Sequence, residues 1–143
     1  MADDTYAPSA TPWVRDHVAT IEATGDTGTV DIMGLPVVLL TMRGARSGRL
    51  RKVPLMRVEH DGTYVAVGSK GGAPQNPAWV ANVRAHPEIT LQDGTRTHDV
   101  VAREISGAER ATWWERCVAA FPPYADYATK TDRLIPLFLL EPR

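Results

Sequence analysis

"RKVPLMRVEHDGTYVAVGS", residues 51–69, holds two runs of strand-forming residues joined at Asp61 and Gly62. Asp-Gly between apolar runs is a strong short-range hairpin signal, because the tight turn needs positive φ at positions that Asp and Gly tolerate. Val58 before the turn and Tyr64, Val65 and Val67 after it supply the strand-forming bulk. A second stretch of the same design, "EITLQDGTRTHDVVAREI" (88–105), turns at Asp93 and Gly94. Upstream, "LPVVLLTMR" (35–43) has the length and β-branched content of a strand, and "IPLFLLEP" (135–142) reads as a short apolar terminal strand.

Helical signals lie between and around these strands. "TPWVRDHVATIEAT" (11–24) offers Thr11 as N-cap, Pro12 as first helical residue and a stop near Gly25. "NPAWVANVRAHP" (76–87) predicts a short helix capped by Asn76, with Pro77 at its first position and Pro87 ending it. "SGAERATWWERCVAAF" (106–121) opens with Ser106 and Glu109 at capping-box spacing and predicts the longest helix. Residues 1–12 read as a mobile leader and 13–143 as one domain. Hairpins without a helix between most successive strands exclude a parallel sheet and predict a mainly β, α+β fold: a small antiparallel barrel with flanking helices. Such a barrel fills its interior with side chains, so a ligand must bind outside it or in a groove at an open seam.

Composition excludes several functional classes. Sixteen basic residues against seventeen acidic give a formal net charge of −1, which does not suit a general polyanion binder. A single cysteine, Cys117, rules out an internal disulfide and any multi-cysteine metal site. His17, His60, His86 and His98 are scattered without ligand spacing, so no metal site is expected. The acidic, polar start and the absence of any apolar run near 20 residues point to a cytoplasmic chain, at most peripheral to a membrane.

Against that neutral background three stretches carry chemistry. "RGARSGRLRK" (43–52) packs Arg43, Arg46, Arg49, Arg51 and Lys52 into ten residues with no acid. "GSKGGAPQNP" (68–77) leaves a strand and enters a helix, so free backbone N–H groups and a helix N-terminus converge on one seat for a phosphate or carboxylate. In "FPPYADYATKTDR" (121–133), Tyr124 and Tyr127 share one face if the stretch is helical, either as core or as phenolic donors.

Together, "GLPVVLLTMRGARSGRLRKVPL", "GSKGGAPQNPAWVANVRAHP" and "FPPYADYATKTDRLIPLFLLEP" resemble the deazaflavin-dependent nitroreductase family, which uses coenzyme F420, in order and spacing from about Trp13 to Pro142. The resemblance implies a split β-barrel of the FMN-binding, flavin-reductase type, antiparallel and Greek-key-like. It also implies transfer of a hydride from reduced F420 to small-molecule acceptors: quinones, nitroaromatics or other activated unsaturated compounds. Coenzyme F420 carries a phosphate and a glutamate tail, and a row of cations suits such a tail. On the family's pattern Arg46, Ser47, Arg51 and Lys52 take the anionic part, with Ser69, Lys70, Gly71 and Gly72 as further donors. Pro54 and Leu55 lie near the ring, and Ala78, Trp79 and Asn82 line the groove. Tyr124, Tyr127 and Ser69 face the acceptor as hydrogen-bond or proton donors. Phe121 stands where relatives often have tyrosine, and Met42 and Arg43 where threonines are common.

Two other readings share these features. One is a carrier that binds F420 without turnover. The other is an FMN-binding split-barrel reductase, although the basic row exceeds what one flavin phosphate requires. A nucleic-acid module would need aromatic platforms interleaved with the basic strand and a positive overall charge, and neither is present. The partners implied are thus a small-molecule acceptor, no nucleic acid and no integral membrane segment, in a monomer or homodimer.

Overall fold

A computed structural model describes residues 4–143. Four α-helices, α1 (Pro12–Thr24), α2 (Ala78–Ala85), α3 (Gly107–Ala120) and α4 (Pro123–Thr129), surround seven strands. The strands are β1 (Val37–Arg43), β2 (Leu50–Met56), β3 (Glu59–His60), β4 (Thr63–Val67), β5 (Glu88–Asp93), β6 (Arg96–Glu104) and β7 (Leu137–Pro142). They form one sheet in the order β2-β1-β5-β6-β7-β4-β3, antiparallel throughout. It curls so that β2 approaches β4, giving the antiparallel split barrel expected of the sequence.

Side-chain alternation builds two layers from one sheet. Along β7, Phe138 and Leu140 enter the barrel interior, while Leu137 and Leu139 face α3 and α4. β4 repeats this, with Ala66 inside between Val65 and Val67 outside. On β1, Val38, Leu40 and Met42 point inward and Leu39 meets Val14, Val18 and Ile21 of α1. Strands covered on both faces carry continuous apolar runs, which accounts for "VVLL" and "LFLL". Trp79, Val80 and Val83 of α2 close one end of the interior.

The Asp61-Gly62 turn forms at the predicted position, whereas the second turn falls one residue later than expected, at Gly94 and Thr95, because Asp93 stays paired with Arg96 as the last residue of β5. Asp61 and Gly62 join β3 to β4 with φ of 51° and 84°, and Gly94 joins β5 to β6 with φ of 63°. The run before Asp61 divides: only β3 pairs with β4, whereas β2 pairs with β1 along its whole length. The hairpin that matters for chemistry is therefore β1–β2, with the basic segment as its loop.

Two helix starts differ from expectation. Pro77, not Asn76, is the N-cap of α2, because the Asn76 carboxamide oxygen accepts a hydrogen bond from Arg133 at 2.8 Å. Ser106 occupies the N-cap position of α3 but its side chain makes no capping hydrogen bond, and no capping box forms, since Glu109 is held by both terminal nitrogens of Arg103 at 2.8 and 2.9 Å. Of the stretch read as a leader, residues 1–3 lie outside the described residues. Residues 5–7 run parallel to β2, with Leu50 N–H donating to Thr5 O and Ala7 N–H to Leu50 O.

Candidate functional site

The β1–β2 loop, residues 44–49, is a closed unit. Gly44 N–H donates to Arg49 O, Gly48 N–H to Gly44 O, and Arg49 N–H to Ser47 Oγ at 3.1 Å. A Cβ on Gly44 would stand 2.8 Å from that hydroxyl, so a side chain there would displace Ser47 from its bond to Arg49 N–H. Ser47, expected as a ligand contact, thus holds the loop together. Asn82 also acts structurally, since its Oδ1 accepts from Ala45 N–H at 2.9 Å and ties the loop to α2.

Strand alternation splits the cationic row. Lys52 shares a face with Pro54 and meets α1, where Glu22 Oε1 lies 2.5 Å from Nζ and the Tyr6 ring lies 5.5 Å away. Arg51 lies on the opposite face, in line with Val53 and Leu55, which pack against the barrel interior. Arg43 pairs with Asp4 at 2.6 Å and donates to Gly48 O. Arg46 is exposed at the loop tip.

The glycine loop sits at the far end of β4. Ser69 is right-handed, then Lys70, Gly71 and Gly72 have φ of 45°, 63° and 82°. An αR residue followed by an αL residue directs successive N–H groups into one concavity, an anion-binding nest. Gly72 N–H and Ala73 N–H bond back to Ser69 O and Lys70 O, whereas Ser69, Lys70 and Gly71 N–H have no acceptor among the described residues. A Cβ on Gly72 would meet Tyr127 O at 2.7 Å, so the loop lies directly against α4. Ser69 is buried to 9% exposure, and its hydroxyl has no partner among the described residues.

Helix α2 joins the glycine loop and the basic loop. It begins at Ala78, just past the glycine loop, and Asn82 grips the basic loop four residues later, an axial rise of about 6 Å. Ala78 is exposed beside this junction. Trp79, expected along the groove, is in the core instead, with its ring centroid 5.7 Å from that of Phe138.

The aromatic side of the site divides as well. Tyr124 is 4% exposed, among Phe121, Trp114 and Cys117, and burial raises its phenol pKa above the usual value. Tyr127 is half-buried, with Lys130 Nζ 5.7 Å from its ring centroid, and is the more open phenol. Phe121, at the position often tyrosine in relatives, contacts both rings at 4.9 and 6.1 Å. Among the described residues no cluster of three His, Cys, Asp or Glu could hold a metal ion, and no helix is long and apolar enough to cross a membrane.

One residue gives no signal in the sequence. Arg133 donates to Gly68 O, Ser69 O, Ala73 O and Asn76 Oδ1 at 2.8 to 3.1 Å, so it gathers the glycine loop from behind. Its acceptors lie 57 to 65 positions earlier, and three are backbone carbonyls, so no local motif could announce it.

A cation-rich loop with Arg46 exposed at its tip, a nest of free N–H groups and a half-buried phenol, set about α2 and α4, suit an elongated anionic ligand with an uncharged body. A model of the F420H(2)-dependent quinone reductase family matches residues 13–142. The chain belongs to this family. Its members' reaction passes a hydride from reduced F420 to quinone-type acceptors, and this chain is accordingly an F420H2-dependent reductase in class. Rv3178 of Mycobacterium tuberculosis, a putative F420H(2)-dependent quinone reductase, is 32% identical over 109 residues, covering 76% of this chain and 92% of its own. The F420H(2)-dependent quinone reductase Rv1261c of the same organism is 29% identical over 111 residues, covering 76% and 74%. Among solved structures, an F420-H2 dependent reductase, FDR-A, is 53% identical, with TM-score 0.71 over 78% of this chain and 99% of that one. A domain-swapped dimer is 51% identical, with TM-score 0.73 over 93% and 100%. A protein of the pyridoxinephosphate oxidase family from Clostridium acetobutylicum is 14% identical, with TM-score 0.51 over 89% and 85%, and shares the split-barrel fold.

Proposed function

We propose that the F420H2-dependent reductase holds the anionic part of its cofactor between the basic loop and the glycine loop, and receives its acceptor beside α4. In this reading Arg46 and Arg51 pair with the phosphate and tail. Ser69, Lys70, Gly71 and Gly72 contribute the backbone seat, with the Lys70 ammonium beside it. Lys52 joins the tail when Glu22 releases it, and Ser47, Asn82 and Trp79 act by fixing the loop and α2. Leu55 flanks the ring position from the Arg51 face of β2, while Pro54 is buried on the opposite face and shapes the strand from behind, with Ala78 at the groove edge.

The observation that carries this reading is that α2 follows directly on the glycine loop and is tied to the basic loop through Asn82, so the free N–H groups of the first loop and the exposed Arg46 of the second flank one short helix. When bound, the reduced deazaflavin supplies the hydride. The chain's part is to orient, to exclude water and to stabilise charge arriving on the acceptor. In this reading Tyr127 donates a hydrogen bond or proton there, with the Ser69 hydroxyl as a second donor and the Tyr124 ring, 6.3 Å away, buttressing Tyr127. The acceptor range extends from quinones to nitroaromatics and activated alkenes, in a cytoplasmic protein peripheral to the membrane at most. A homodimer is the favoured assembly, since a 51% identical relative is a domain-swapped dimer.

The test is an anaerobic titration with reduced F420, with FMN in parallel, followed by menadione and a nitroaromatic. Saturable F420 binding, weaker FMN binding and reoxidation by menadione are expected. FMN binding as tight as F420 would overturn the tail argument, and F420 binding without reoxidation by either compound would make the protein a carrier. Arg51→Glu should weaken F420 more than FMN, and the gap should narrow as salt rises.

A further inference from the structure

Arg133 follows α4, on a segment that contributes nothing to the cation row, yet its guanidinium makes four hydrogen bonds into the glycine loop. Nε donates to Ala73 O at 2.9 Å, one terminal nitrogen to Gly68 O at 3.1 Å and Asn76 Oδ1 at 2.8 Å, and the other to Ser69 O at 2.8 Å. Every acceptor is neutral. Burial alone lowers its pKa from the usual value, with no carboxylate acting against that shift. Ordinary packing does not demand a half-buried cation surrounded only by carbonyl groups, and desolvating it has a cost that neutral dipoles only partly offset.

The geometry of the peptide bond shows what this arrangement achieves. In a trans peptide the C=O and N–H point in opposite directions. Drawing the carbonyls of Gly68 and Ser69 onto Arg133 turns the N–H groups of Ser69 and Lys70 away from it, and these are two of the three loop donors without an acceptor among the described residues. The same contacts hold Lys70 at φ 45°, a conformation that a residue with a Cβ resists by about 1 kcal/mol or more. We propose that Arg133 is a positioning residue for cofactor binding: it collects the carbonyls behind residues 68–73 so that the Ser69, Lys70 and Gly71 N–H groups face the ligand, and places a positive charge behind them. This rests on the glycine loop being the anion seat of the proposed function. Arg133 itself touches no ligand.

Two variants and two probes test it. Arg133→Ala should raise the KM for F420H2 about tenfold, the scale of a charge-assisted hydrogen-bond network, while leaving the KM for menadione within about twofold. Millimolar methylguanidinium should restore part of the loss. Arg133→Lys keeps the charge but not the fan of donors, so it should fold normally and fall between the two. Inorganic phosphate provides a readout independent of F420: it should shift the amide NMR signals of Ser69, Lys70 and Gly71 in the wild type and not in Arg133→Ala. Equal rises in both KM values that track a fall in Tm, without rescue, would reduce Arg133 to a fold contact and overturn the inference. A wild type whose amides respond to phosphate but which does not bind F420 would sink the cofactor assignment while leaving the role of Arg133 standing.

Discussion

Lys70 is where stability and binding pull apart. It is exposed, carries a side chain at φ 45°, and sits beside two glycines that adopt the same region without strain. Lys70→Gly should therefore raise stability by about 0.5–1 kcal/mol and weaken the anionic cofactor by the loss of one charge. Parallel urea denaturation and F420 titration would check this; a variant both less stable and unchanged in affinity would refute it. The phenols separate similarly. The Tyr124 hydroxyl has no hydrogen-bond partner among the described residues, so Tyr124→Phe should leave stability and turnover nearly unchanged. Tyr127→Phe should lower kcat with menadione about tenfold to a hundredfold while the F420 Kd holds, as expected for a donor used in the transition state. Equal effects of the two substitutions would show that the pair acts only through packing.

Among the elements, α3 carries a distinct pH signature. Cys117 is fully buried on the face of α3 turned to β4 and β7, and burial pushes its thiol up from 9.0 to about 12, against a smaller opposing pull from Arg110. The neutral thiol is the form the fold accepts. Between pH 9 and 12 the unfolded chain has lost this proton and the folded chain has kept it, so stability falls as pH rises through that window. Tyr124, also raised by burial, adds the same sign from pH 10 upward. Urea midpoints at about pH 7, 9 and 10 should decline in the wild type and decline less steeply in Cys117→Ala, whatever that variant's stability at neutral pH; parallel slopes would place the alkaline loss elsewhere. The elements themselves were largely legible in the sequence, because Asp61-Gly62, Pro12 and Gly25 act on the backbone within a few residues, and Gly94 turns the second hairpin one residue later than the Asp-Gly pair suggests. Long-range pairings were not. Nothing near "RKVPLM" says that it pairs with β1 rather than β4, nothing near Asn76 says that Arg133 will claim its side chain, and the cation row hides that alternation sends Arg51 and Lys52 to opposite faces. The site was legible as residue types and loops, and obscure wherever a side chain's partner lies tens of residues away.

Over the whole molecule, stability is uneven in a way that bears on the ligand. The barrel interior and the layer under α3 and α4 share β4 and β7, so those parts should open together. Helix α1 is attached by much less. Val14, Val18 and Ile21 rest on Leu39, His17 Nε2 lies 2.9 Å from Asp31 O, and Glu22 pairs with Lys52. Three buried aliphatic side chains on one strand are a small anchor for a 13-residue helix, whereas the strands of the barrel are held on both faces. The helix should thus open before the barrel unfolds, and native-state hydrogen exchange should give α1 amides a lower opening free energy than those of β5 and β6; equal values would show a single cooperative unit. Opening has a chemical consequence. Glu22 is the carboxylate that neutralises Lys52, so in the proposed site an anionic tail would compete with α1 for one cation. Glu22→Gln should tighten F420 severalfold at low salt, with the gain shrinking as ions screen it, and should lower the opening free energy of α1 in the same protein. Tighter binding without a looser α1 would mean that Glu22 acts only as a repulsive charge; a looser α1 without tighter binding would remove Lys52 from the tail site.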